Sequence, residues 1–261
     1  MTMAEIINRK QLKANTKDLL RGAQVAPKAM YALYAGLVLA LNMVDVFAGG
    51  GADGLLNRNL LGLFVTVLTS LLGMVLLTGF TLYCMAIRRG ERVEFLTLFD
   101  GFSFVGKIIG LYLVEYFFVF LWSMLFVVPG LIALYRYRFA LFNLCENPEL
   151  GVFEVLDMSK RQTRGYKRQL FLLDLSYFGW SLLAVLPTAY EGFYIGLGTP
   201  MPIATTPFIL IMSLWSMAVG LFYMPAYQCA DLGYYEVAVR TSGVSAHTGE
   251  QPPQIDGSGN F

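Results

Sequence analysis

Two long stretches without a charged residue constrain this chain more than any other feature of its sequence. Residues 59–87 hold no Asp, Glu, Lys or Arg in 29 positions, and residues 192–230 hold none in 39. About 20 apolar helical residues are enough to cross the hydrocarbon core of a bilayer. A large soluble helical core is the alternative, but its helices would carry polar faces, and these are missing here. The sequence therefore predicts an all-α, polytopic membrane protein.

The remaining composition excludes several classes of function. A net charge of +1 without a long basic run argues against nucleic acid as a partner. Cys84, Cys145 and Cys229 lie in or beside apolar segments, without the spacing of a metal site or a disulfide framework. The one histidine, His247, lies in a polar tail. No catalytic motif is visible, so we predict no catalytic residue, no metal and no cofactor. The first residues hold no apolar run, so no cleavable signal peptide is expected.

The chain divides into three parts. Residues 1–27 form a basic, amphipathic N-terminal segment, and residues 241–261 form a polar tail that we expect to be disordered. Residues 28–240 form one membrane domain with about six transmembrane helices and a short amphipathic cytoplasmic helix near 150–163. The predicted spans are 29–47, 60–86, 104–128, 131–145, 169–187 and 206–229.

The distribution of Lys and Arg favours six spans over five. If residues 131–145 cross, the inside segments hold six basic residues before the first span, four in 88–107, five in 160–168, and Arg240, which is sixteen of nineteen. This pattern obeys the positive-inside rule and predicts that both termini are cytoplasmic, in the cell membrane. If residues 131–145 do not cross, the five basic residues at 160–168 fall outside.

Arg136 and Arg138 stand inside the fourth predicted span. Two central arginines cost about 5–7 kcal/mol, whereas the apolar residues of this segment return only about 2–4 kcal/mol. The segment should therefore insert behind the third span as the second half of a hairpin. Glu115 is the first candidate partner of the arginines, and Asp174 is the second. These four residues form either a functional intramembrane polar site or an ionic group that only holds the bundle together.

A basic cluster follows the amphipathic helix. It predicts contact between the inner face and anionic lipids or a membrane-protein partner, because each basic residue near a negative surface adds about 1 kcal/mol of attraction. Plain positive-inside topology is the alternative explanation. The cluster consists of Lys160, Arg161, Arg164, Lys167 and Arg168.

The stretch "VPGLIALYRYRFALFNLCENPELG", followed by "SKRQTRGYKRQLFLLDLSYFGW", resembles the DUF975 family of bacterial integral membrane proteins. Thr163 and Tyr177 depart from the family, which usually has methionine and phenylalanine at these places. The resemblance implies an architecture but no activity, because the family has no established function. Ser159 belongs to the motif, and we expect it to cap or stitch a helix end. The other matching positions are Pro129, Gly130, Tyr135, Tyr137, Asn147, Pro148, Lys160, Gly165, Lys167, Phe171, Leu173, Leu175, Ser176, Gly179 and Trp180.

We therefore expect a non-enzymatic accessory or scaffolding protein of the bacterial cell membrane. Such a protein needs only a helical bundle with a basic cytoplasmic face, and the sequence has both. A small-solute transporter that uses Glu115, Arg136, Arg138 and Asp174 is the second hypothesis, since transporters place buried charge and broken helices near the bilayer midplane. An intramembrane enzyme is the third.

Overall fold

The structure, a computed structural model, describes residues 5–48, 60–196 and 206–246. These residues form α-helices, one 3-10 helix (Phe95–Phe104) and short connections, without a strand among them, which confirms the all-α prediction. The α-helices are α1 (Arg9–Gly22), α2 (Pro27–Ala48), α3 (Leu60–Arg88), α4 (Val105–Leu125), α5 (Val127–Tyr137), α6 (Ala140–Glu146), α7 (Val152–Gln162), α8 (Lys167–Gly196) and α9 (Thr206–Ser242).

The described chain contains five helical segments that are long and apolar enough to cross a membrane, as a membrane-spanning protein requires. The predicted fourth span is not one continuous helix. Residues 131–145 are divided between α5 and α6, which have 11 and 7 residues and are separated by a turn at 138–139. At a rise of about 1.5 Å per residue, neither helix is long enough to cross alone. The five segments are Pro27–Ala48, Leu60–Arg88, Phe95–Leu125, Lys167–Pro187 and Leu210–Ser242.

The described residues belong to two compact units. The first, the α3 unit, comprises residues 9–105 and 172–231. Glycines let its 3-10 helix lie directly on α3. A methyl group added at Gly79 would overlap the carbonyl oxygen of Leu98, and one added at Gly101 would come within 2.8 Å of the carbonyl oxygen of Val75. Small residues at such contacts allow two backbones to approach closely.

Aromatic side chains bind α2 to α3 in the same unit. The ring of Phe80, which is fully buried, lies 5.7 Å from Tyr31 and 6.0 Å from Tyr83. The hydroxyl of Tyr83 donates a hydrogen bond of 2.7 Å to the carbonyl of Val25 in the loop before α2. This bond holds the connection between α1 and α2 against α3.

Helix α1 is the predicted amphipathic N-terminal helix. The ammonium of Lys13 lies 3.8 Å from the ring centroid of Tyr177, and the guanidinium of Arg9 donates to the carbonyl of Leu172 at 2.9 Å. Burial, together with repulsion by Arg9, lowers the pKa of Lys13 below its usual value. Lys13, one of the basic residues of α1, therefore packs on α8.

The second unit, the α5 unit, comprises residues 5–8, 106–171 and 232–246. Its helices α4 and α5 meet at Phe126, whose backbone is extended. Near this turn Gly130 lies against the side chain of Ser123, and far from it Lys107 donates to the carbonyl of Pro148. From the first contact to the second, the residue numbers decrease along α4, from Ser123 to Lys107, and increase on the partner side, from Gly130 to Pro148. The broken pair α5–α6 therefore runs antiparallel to α4, as the second half of a helical hairpin.

The residues that follow α9 pack in this unit. Residues 241–246 were predicted to belong to the polar tail, but Gln162 of α7 donates to the carbonyl of Val244 at 3.0 Å and Ala246 is only 2% exposed. Hydrogen bonding and burial thus draw the start of the tail onto α7. The rest of the predicted tail, 247–261, lies outside the described residues.

The close approach at Gly79 gives a test of this packing. Gly79→Ala should lower the free energy of unfolding by about 1–3 kcal/mol, because the new methyl group must displace the backbone at Leu98. Gly73→Ala on the same helix is the control, since its methyl group would meet no atom within 4 Å. Thermal unfolding of the purified proteins in detergent measures both. Equal stability of the two variants would contradict the packing.

Candidate functional site

Cationic side chains from α5, α7 and the start of α8 converge on one cavity of the α5 unit, which we call the basic pocket. Its volume is about 500 Å³. Its lining contains all five residues of the predicted basic cluster and, in addition, Arg136 from the predicted fourth span. The lining residues are Arg136, Asp157, Lys160, Arg161, Arg164, Gly165, Lys167 and Arg168.

The turn between α7 and α8 brings the two halves of the cluster together. Gly165 has φ 92°, in the left-handed region that favours glycine. Before the turn, the N–H of Thr163 donates to the carbonyl of Ser159 at 2.9 Å, and after it the N–H of Tyr166 donates to the carbonyl of Thr163 at 3.1 Å. The chain reverses within a few residues, so basic residues before and after Gly165 line the same cavity.

Positive charge dominates the basic pocket. Asp157, the acidic residue of its lining, lies 2.6 Å from the guanidinium of Arg161 and 4.0 Å from the ammonium of Lys160. The ammonium of Lys160 also lies 5.9 Å from the ring centroid of Tyr137. Six cationic groups thus face one carboxylate, which leaves a formal surplus of five positive charges (six minus one).

Arg136 reaches the basic pocket because α7 holds the break between α5 and α6. The hydroxyl of Ser159 donates to the carbonyl of Arg136 at 2.9 Å and accepts from the N–H of Phe139 at 3.1 Å. The hydroxyl of Thr163 also donates to the carbonyl of Arg136, at 3.3 Å. Ser159 therefore stitches two helix ends, as expected, and satisfies backbone groups that a break leaves without helical partners.

A buried amide pair fixes α6 on α7. The side chains of Asn143 and Gln162 are fully buried and exchange two hydrogen bonds of 2.8 Å. The hydroxyl of Tyr235 from α9 lies within hydrogen-bonding distance of both Asn143, at 3.0 Å, and the carboxylate of Glu146, at 2.9 Å. Sequence reasoning missed this group. Its signal was Gln162, which lies on the apolar face of amphipathic α7 with Val155.

The four residues of the predicted intramembrane polar site have different surroundings. Arg136 lines the basic pocket, and the guanidinium of Arg138 lies 5.6 Å from the ring centroid of Tyr135. Glu115 is half-buried on α4. In the α3 unit, Asp174 accepts a hydrogen bond of 2.9 Å from the hydroxyl of Tyr227. Pairing of Arg138 with Glu115 or Asp174 stays a prediction.

Pro129 and Gly130, which belong to the motif, lie in the first turn of α5. A proline–glycine pair often marks a turn, but the chain turns at Phe126, just before the helix. Proline fits there because the first N–H groups of a helix have no helical partner. Gly130 leaves room for the side chain of Ser123.

Other motif positions have packing roles. The buried ring of Tyr137 lies 6.1 Å from Phe118 on α4. Asn147 donates to the carbonyl of Ala246 at 3.0 Å. In the α3 unit, the ring of Trp180 stacks on Phe222 at 6.3 Å. Gly179, one residue earlier, would accept a methyl group without meeting any atom within 4 Å, so nothing in the structure explains a glycine there.

The described residues contain no group of three or more His, Cys, Asp or Glu side chains that could hold a metal ion. Cys84, Cys145 and Cys229 are buried free thiols.

Replacement of Ser159 tests whether its two hydrogen bonds stabilise the break between α5 and α6. Ser159→Ala should lower the free energy of unfolding by about 1–3 kcal/mol, because it leaves buried backbone groups without partners. Ser181→Ala is the control, since the hydroxyl of Ser181 donates within its own helix, to the carbonyl of Tyr177 in α8. Chemical unfolding in detergent compares them. A loss for Ser159→Ala no larger than that for Ser181→Ala would refute the role of Ser159.

Comparison with known proteins finds a family that part of the chain resembles. No curated protein and no solved structure gives a significant match to the chain. The model of the DUF975 family, whose description is "protein of unknown function", matches residues 126–241. This range contains the basic pocket and the break between α5 and α6. Residues 126–241, less than half of the chain, are thus similar to the DUF975 family.

Proposed function

We propose that this chain is a non-enzymatic accessory or scaffolding protein of the bacterial cell membrane, whose cytoplasmic face binds anionic membrane components through the basic pocket. The convergence of six cationic side chains on one cavity carries this proposal. Arg161, Arg164 and Arg168 are exposed at its rim, where they can meet a charged surface. Each such residue near an anionic leaflet contributes about 1 kcal/mol of attraction.

Contacts between the two ends of the described chain support six crossings. The carboxylate of Glu5 lies 3.2 Å from the guanidinium of Arg240, and the N–H of Glu5 donates to the hydroxyl of Tyr166 at 3.1 Å. Residues in contact lie on one side of a membrane, so the chain crosses an even number of times between them. Five apolar helices and the antiparallel pair α5–α6 give six.

The charge distribution supports the orientation. With six crossings, sixteen of nineteen Lys and Arg residues lie on the side that holds Glu5 and Arg240. Lys and Arg are enriched in cytoplasmic loops. The basic pocket then faces the cytoplasm, where anionic lipids are available to it.

A second candidate function, small-solute transport, is favoured by a cavity in the α3 unit. This cavity has a volume of about 430 Å³ and lies among α2, α8 and α9. Aromatic and methionine side chains line it together with polar ones such as Asn42 and Ser216, a combination typical of small-molecule sites. The charged residues that we expected a transporter to use are not among its described lining residues.

Cysteine labelling tests the six crossings. In a variant that lacks Cys84, Cys145 and Cys229, Gly198→Cys, between α8 and α9, should react with an impermeant maleimide added to intact cells. Glu149→Cys, an exposed position between α6 and α7, should react only after the cells are opened. Five crossings would place Glu149 outside and reverse both results.

Charge neutralisation tests the association with anionic components. Lys160, Arg161 and Arg164 are changed together to Gln, and the protein is purified from native membranes with its lipids and proteins identified. Copurified anionic lipid should fall several-fold, and its dependence on salt should weaken, because the neutralised groups supply the attraction. A triple Gln variant of Lys10, Lys17 and Arg21 on α1 removes the same charge and is the control.

Equal losses in the two triple variants would argue against a role of the basic pocket. A solute that raises the melting temperature in a saturable way would instead support transport, because ligand binding to the folded state stabilises it. If Asn42→Ala abolished this thermal stabilisation without changing the amount of bound lipid, the solute would be assigned to the cavity of the α3 unit.

A further inference from the structure

We propose that the basic pocket binds one lipid headgroup with at least two negative charges on phosphate groups, and that the lipid's acyl chains lie against neighbouring apolar side chains of α5 and α8. This inference rests on the proposed function and adds to it the chemical class of the ligand. Three observations carry it: the charge surplus of the pocket, an apolar strip beside it, and the position of Arg136.

The charge surplus requires more than one negative charge. Asp157 already lies beside Arg161 and Lys160, so it does little to balance the cations on the other side of the cavity. A phosphodiester headgroup with a single charge would leave most of the surplus unbalanced, and like charges that share a cavity repel each other. Headgroups with a phosphomonoester or with two phosphodiesters bring two charges.

The arginines suit phosphate in particular. Four of the six cationic groups in the pocket are guanidinium groups, on Arg136, Arg161, Arg164 and Arg168. A guanidinium presents its N–H donors in a planar fork that matches the oxygens of phosphate. The cavity of about 500 Å³ has room for a headgroup with two phosphates or with one phosphate and water.

An apolar strip beside the pocket indicates a lipid rather than a soluble phosphate. Ile132 lies one helical turn before Arg136 and is 49% exposed, and Phe171 lies one turn after Lys167 and is 52% exposed. The ring of Tyr135 contacts Phe171 edge-on at 6.4 Å and so links the two helices. Residues one turn apart share a helix face, so Ile132, Tyr135 and Phe171, the apolar strip, adjoin the cationic lining. Acyl chains can cover this strip, whereas a free phosphate ion leaves it bare.

Arg136 lies where the two surfaces meet. Its backbone belongs to the last turn of α5, an apolar helix, while its side chain lines the basic pocket. Long basic side chains at helix ends extend from hydrocarbon toward the polar interface. The arginine that is costly in an apolar segment is therefore placed to hold a headgroup at the level of the lipid phosphates.

Thermal unfolding of the purified full chain in detergent tests this inference. The probes are phosphatidic acid, cardiolipin, phosphatidylglycerol and inorganic diphosphate, each added at the same total number of negative charges. Phosphatidic acid and cardiolipin should raise the melting temperature in a saturable way, and phosphatidylglycerol should raise it much less. Arg136→Gln should weaken the apparent affinity for the first two about fivefold, which corresponds to about 1 kcal/mol.

Two further variants are compared with Arg136→Gln. Arg136→Gln keeps the carbonyl that Ser159 and Thr163 hold, so the fold should survive, and Arg164→Gln at the exposed rim should show the same loss. Lys17→Gln on α1 should show none. Equal stabilisation by phosphatidylglycerol, or an unchanged affinity in both pocket variants, would overturn the inference and leave a cationic surface that binds anionic lipids without selectivity. Stabilisation by inorganic diphosphate equal to that by the lipids would exclude a role of the apolar strip. The proposed function itself fails only if no anionic lipid copurifies or stabilises.

Discussion

The hydroxyl of Ser159 satisfies both sides of the break between α5 and α6. It donates to the carbonyl of Arg136, at the end of α5, and accepts from the N–H of Phe139, just before α6. A buried backbone group without a hydrogen-bond partner costs about 1–3 kcal/mol. A break in a buried helical segment is therefore tolerated where other parts of the protein supply the partners, and α7 does this here.

The same contact connects the fold to the proposed site. Because α7 binds the end of α5, Arg136 lies beside the cations of α7 and α8 and not alone in an apolar helix. The buried amide pair Asn143–Gln162 secures α6 on the next turn of α7. Breaking the helix and forming the basic pocket are thus two results of one helix–helix contact.

Sequence patterns predicted those features that depend on transfer free energy alone. The described residues 60–87 and 206–230 hold no charged residue and favour helices in hydrocarbon whatever their neighbours are, so α3 and α9 were foreseeable. The basic cluster was visible because its five residues lie close together in the chain, at 160–168. The break was not, because its cause, Ser159, lies 20 residues beyond Phe139 in the chain. The membership of Arg136 in the basic pocket depends on that long-range contact and could not be predicted either.

An intramolecular cross-link tests most directly whether the broken pair α5–α6 completes a sixth crossing. Cysteines replace Glu5 and Arg240, whose side chains lie 3.2 Å apart, in a chain that lacks the native cysteines. A short bis-maleimide that is added to native membranes should join the two positions within one chain in high yield, because an even number of crossings returns the chain to the same side. Efficient labelling of both cysteines, but from opposite sides of the membrane and without a cross-link, would contradict the account.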